Sequence, residues 1–215
     1  MRTASRITAS VLGLFAGGAS IEHGIYEILQ GGLRPAGLMI NSMGPPCQPE
    51  SVWHLCEPAM TILPSFLFTG ILAAAIGAFF MLWSLAFVQR KGGGLVLILS
   101  SIPMLLFGGG IFPPLIGVTA GAVGTRISRG TDRGRTGRPG VFVRITSHLW
   151  PWTLIILAVW LLGQWLVGTF FNDFLMEGGF VFPILIIGLL VLSVLSSIAH
   201  DRVHAAAGSY GNTRE

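Results

Sequence analysis

The chain has 215 residues, 52% of them hydrophobic and only 10% charged, with a formal net charge of +4 and a mean hydropathy of +0.74. Soluble domains carry about 25% charged residues, so most of this surface does not face water, and the length leaves no room for a separate soluble domain. The fold class expected is all-α: a polytopic membrane helical bundle forming one transmembrane domain over 1–215.

The first apolar stretch is 7–29. Arg2 and Arg6 ahead of an apolar run and small residues have the outline of a signal peptide, but a retained first transmembrane helix is the simpler reading. Either way, the residues after Gly18 fall at the outer side. This stretch ends in "GASIEHGIYEILQGG", which places Glu22, His23, Tyr26 and Glu27 within six positions. Glu22 lies sixteen residues beyond Arg6, or ~24 Å up a helix, in the outer leaflet. His23 and Glu27 are four apart and are expected to share a face and pair. A charge at bilayer depth costs about 2.5–3.5 kcal/mol on insertion scales and normally faces a partner or a wet cavity. Glu22, His23, Tyr26 and Glu27 are therefore the candidate binding site, with an interfacial ion pair and a helix anchor as the bland alternative.

The outer connection, 30–59, contains "GPPCQPESVWHLCEPAM" and both cysteines, Cys47 and Cys56. On the outer side two thiols this close are expected to form a structural disulfide, worth roughly 2–3 kcal/mol on a chain-entropy view. The second apolar stretch is 60–88.

Residues 92–127 are too long for one span and are broken by "GGGIFPP" at Gly108–Pro114. If this segment crosses twice, twelve of the thirteen Lys and Arg fall on the cytoplasmic side and only Arg34 falls outside. If it crosses once, nine fall outside and four inside. The positive-inside rule selects the double crossing. This gives six crossings, with both termini cytoplasmic and the third and fourth crossings short, joined by a Gly/Pro hairpin whose tip stops below the outer surface.

The Arg- and Gly-rich stretch 125–146 reads as a cytoplasmic loop. It lacks interleaved aromatics, so no nucleic acid is expected. Its arginines, Arg126 to Arg144, suit topology anchoring and contact with anionic lipid head groups. The last spans are 149–170 and 179–199, succeeded by a cytoplasmic tail at 200–215. Gly13–Gly17 and Gly117–Gly121 are GxxxG pairs that let helices approach closely, inside the bundle or across a homo-oligomer. His23 with His54, and His148 with His200, can be drawn as two haem-ligating pairs. Interfacial histidines are the simpler reading, and the cofactor is left unassigned. No P-loop, metalloprotease, hydrolase or dinucleotide motif is present.

Three functions remain in play. One is a small transport or permeation protein of the plasma membrane, its outer vestibule lined by Glu22, His23 and Glu27. The second is a non-catalytic subunit or assembly factor of a larger membrane complex. The third is a membrane enzyme acting on a lipid or quinone, with Glu22 and His23 as acid and base. In the first, Glu22, His23 and Glu27 line a wet cavity roofed by the Cys47–Cys56 loop and floored by the Gly108 hairpin tip.

Overall fold

The computed structural model describes residues 3–41, 57–129 and 139–211, apart from the side chains at 128–129, 165 and 208–211. Eight helices and one small ribbon occupy these residues: α1 (Ala4–Leu29), β1 (Met39–Asn41), β2 (Pro58–Met60), α2 (Phe66–Ala86), α3 (Gly93–Leu106), α4 (Phe112–Arg129), α5 (Val141–His148), α6 (Trp152–Phe170), α7 (Asn172–Gly178) and α8 (Val181–Gly211). Four of the helices, α1, α2, α6 and α8, are long and apolar enough to cross a membrane. α3 is a shorter apolar helix.

α1 is the hub and packs on α2, α4 and α8. Its buried side is a stripe of small and polar residues, including Ala9, Gly13, Ala16, Gly17, Ser20 and Gly24. Small residues let backbones approach, which matters where burying more apolar surface adds little. α2 runs antiparallel along this stripe. A Cβ placed on Gly17 would sit 2.5 Å from Gly77 O, and one on Gly24 would sit 2.6 Å from Gly70 O. Ser10 Oγ donates to Ser84 O at 2.9 Å and Ser20 Oγ to Ala73 O at 3.0 Å, so hydroxyls fasten the seam. α3 and α4 form a second antiparallel pair, where a Cβ on Gly121 would lie 2.6 Å from Gly94 O. Both GxxxG pairs thus pack inside one bundle: Gly13 meets Ser84, and Gly117 meets Ser101 and Phe80.

The contacts sort the helix ends into two layers. At one end, Asp201 Oδ1 and Oδ2 accept from Ala4 N (2.8 Å) and Ser5 N (2.9 Å), and Trp150 Nε1 donates to Thr8 Oγ1 (3.3 Å). Thr3 Oγ1 caps Arg6 N at 3.3 Å, so three of α1's otherwise orphaned first-turn donors are met. At the other end, Glu27, Thr69 and Gly108 meet. The hairpin tip is stitched to the chain entering α2: Gly108 N donates to Met60 O (2.8 Å) and Ile62 N to Leu106 O (3.2 Å).

Several boundaries differ from the sequence expectation. The connection 30–59, expected as an outer loop, is not all loop, because β1 and β2 pair antiparallel, Met39 opposite Met60. α2 begins only at Phe66, after Pro64 and the Ser65 cap. Part of the segment read as the 125–146 loop is helical: α4 continues to Arg129, and α5 opens at Val141 with Val141, Phe142 and Ile145 exposed. The 200–215 tail is not free of structure either, since α8 runs on to Gly211.

Candidate functional site

The site starts from helical spacing. Ser20, His23 and Glu27 recur at intervals of three and four, so α1 aims all three the same way, and all three are buried. The tip Gly108–Gly110 lies against them. A Cβ on Gly108 would strike the Glu27 carboxylate and the Thr69 methyl, and one on Gly109 would lie 2.7 Å from Ser20 Oγ. On Gly110 it would lie 2.8 Å from His23 Nε2. Gly108 and Gly110 also hold φ of +85° and +81°, a region that L side chains seldom enter. The three glycines are the condition for the tip to close on three polar residues of α1.

The expected His23–Glu27 pair does not form. His23, 3% exposed, has its Nε2 3.2 Å from Glu57 Oε2. Glu57 sits just before β2, and its side chain is 24% exposed. Glu27 is fully buried, and neither carboxyl oxygen has a hydrogen-bond partner among the described residues. Beside it, Thr61 Oγ1 and Thr69 Oγ1 lie 2.8 Å apart, and Thr69 Oγ1 donates to Ser65 O. The hydroxyls therefore serve the loop that enters α2, and the acid is left to apolar and glycine neighbours.

A chamber of about 450 Å³ opens beside this layer, within the usual range for ligand pockets. Glu22, His23 and Glu57 line one end. Leu14, Phe15, Ile116, Trp160, Phe182 and Ile186 build its apolar walls. α6, α7 and α8 thereby face α1 and α4 across a cavity. Phe112 and Pro113, directly after the glycine tip, are part of the lining. Of the sequence candidates, Glu22 and His23 reach the chamber, while Glu27 is sealed behind the tip. Tyr26 is half-buried on α1 and outside the lining, its carbonyl accepting from Gln30 Nε2 at 3.5 Å. Glu57 and Trp160 are site residues that sequence reasoning misses. The acid immediately after Cys56 is the available signal for Glu57, whereas Trp160 reads as one of the fifth-span tryptophans facing lipid or a partner.

The other described histidines, His148, His200 and His204, gather at the opposite end of the bundle. His200 packs against Trp150 (centroids 4.6 Å) and His204 (4.0 Å), far from His23 at the other end. Among the described residues no group of three or more His, Cys, Asp or Glu could hold a metal. Cys47, His54 and Cys56 lie outside the described residues. Fold and cavity together define the class: an α-helical bundle with membrane-length apolar helices and a chamber carrying acids at a single end. No protein family, curated protein or solved structure matches the chain.

Proposed function

We propose that the chain is a small multi-pass transport or permeation protein of the plasma membrane, its outer-leaflet polar site formed by Glu22, His23 and Glu57. The observation that carries this reading is the polar end of an otherwise apolar chamber. Interrupted short helices beside a polar cluster are the usual construction of membrane binding sites. In this reading α1, α2, α3, α4, α6 and α8 each cross the bilayer, with both termini and Arg126–Arg144 in the cytoplasm beside anionic lipid. The lengths agree: α3 with 14 residues spans ~21 Å and α4 with 18 spans ~27 Å, both less than a hydrocarbon core of ~30 Å. The tip therefore stops short of the surface and leaves the chamber a dent above it.

Proteoliposomes carrying a trapped pH-sensitive dye test the reading. Wild-type protein should give a proton or monovalent-cation flux above that of empty vesicles. Glu22→Gln should reduce that flux while leaving the melting temperature unchanged. A Glu22→Gln protein with full flux and lowered stability would leave Glu22 as a packing residue. A second reading, a subunit of a larger membrane complex, is favoured by the apolar outer faces of α6 and α8, where Val159, Leu166 and Ile184 are exposed. Co-purification with larger partners in mild detergent would select it.

A further inference from the structure

We propose that the chamber takes a single-chain amphiphile with an ammonium-type head, admitted sideways from the bilayer between α4 and α6. This names the substrate class of the site above and rests on that reading. Three independent features of the chamber support it.

The first is shape. The lining runs along α1 from Val11 to His23, twelve residues or ~18 Å along the axis. A slot of that length, polar at the end toward Glu57 and apolar toward the middle of the bundle, is laid out as a lipid chain lies in a leaflet. A cation bound at the polar end uses the carboxyls alone, and the apolar length beyond them suits an attached alkyl chain.

The second is charge. The polar end contains two carboxyl groups, Glu22 and Glu57, with His23 held by Glu57 and Gln164 on the facing helix. The two carboxylates accept hydrogen bonds and favour a donating cation. A phosphate or carboxylate head would meet like charge. About one turn below Gln164, Trp160 lines the chamber, and its indole Nε1 is buried with no hydrogen-bond partner among the described residues. That donor suits an oxygen next to the head, as in a long-chain amino alcohol.

The third is the entrance. α6 packs on α8, but α4 and α6 are hardly in contact among the described residues. Phe112 on α4 and Leu162 on α6 both line the chamber, yet they are 42% and 67% exposed. An opening lipped by a bare phenylalanine and a bare leucine faces hydrocarbon.

A photoreactive tetradecylamine, presented to the full chain in neutral phosphatidylcholine nanodiscs, tests the assignment. Label should map to α1 between Val11 and His23 and to Trp160 or Phe182. Unlabelled tetradecylamine should compete at least tenfold better than myristate of the same chain length. Leu162→Trp, at an exposed position that tolerates bulk, should narrow the mouth and cut labelling at least tenfold with the melting temperature held. Glu22→Gln should reduce the preference for amine over acid. Labels scattered over the outer faces of α2 and α8, equal competition by myristate, or full labelling of Leu162→Trp would each overturn the proposal. Chamber labelling with amine preference but no vesicle flux would uphold the ligand class and remove transport. Ion flux without chamber labelling would do the reverse.

Discussion

Gly108→Ala should be among the more damaging single-methyl additions available to this protein. Two costs combine. At φ +85° an alanine carries the left-handed penalty, about 1–2 kcal/mol. Its Cβ also lands on the Glu27 carboxylate and the Thr69 methyl, and overpacking of this kind typically costs about 1–3 kcal/mol. Together these give about 2–5 kcal/mol. At roughly 2–4 °C per kcal/mol for a chain of this size, melting should fall by about 4–20 °C. Intrinsic tryptophan fluorescence of detergent-solubilised protein during heating reads this directly. Gly163→Ala is the control: the same methyl is added inside α6, with nothing within 4 Å, and helix propensity predicts a gain of about 1 kcal/mol. Glu27→Ala in the Gly108→Ala background should restore part of the loss, because it removes the group that is struck. A coupling energy of about 0.5–3 kcal/mol is expected for such neighbours. Gly108→Ala melting with the wild type, or additive effects in the pair, would refute the close seating of the tip on α1.

Glu27→Met should raise the melting temperature, since it removes a buried carboxyl with no hydrogen-bond partner, a burden of about 1–3 kcal/mol; a clear drop would show that the acid is satisfied by something bound. In a variant lacking Cys47 and Cys56, a cysteine at Gln48 should react with an impermeant reagent added outside intact cells, and one at Arg135 should not. The reverse pattern would end the six-crossing topology. Protein isolated without reductant should resist alkylation at Cys47 and Cys56 until it is reduced, and two thiols that react at once would dismiss the disulfide.

The helices themselves are plain in the sequence, because lipid solvation leaves a long, weakly charged run that needs no periodicity to be seen. The break at Gly108–Pro114 is equally legible: three glycines and two prolines cannot continue a helix, and α3 and α4 do turn back there. The purpose of the glycines is hidden. That Gly108, Gly109 and Gly110 meet Glu27, Ser20 and His23 depends on how the two helix pairs dock, and no local pattern encodes docking. The same limit produces the mistaken His23–Glu27 pair. Spacing of four makes such a pair possible, but Glu57, thirty-four positions on, takes the imidazole once the chain entering β2 lies beside α1. Polarity also misleads at the ends of the chain's loops. Arg144 and Arg202 point to loop and tail, yet both positions are helical, in α5 and α8.

The contact of Asp201 with Ala4 and Ser5 sets an order of events during synthesis. α1 is the hub on which α2 and α4 pack, and it is made before both. Two of its leading amide groups have their carboxylate partner 197 and 196 residues further on, so they wait on water or lipid head groups while that length is synthesised. At roughly 5–20 residues per second, that interval is on the order of 10–40 s. The last helix buries little surface of its own, yet its arrival is the step that closes the first. A nascent chain stopped anywhere before Asp201 leaves the leading amides of its central helix without their carboxylate, so the first helix of the bundle is completed only by the arrival of α8.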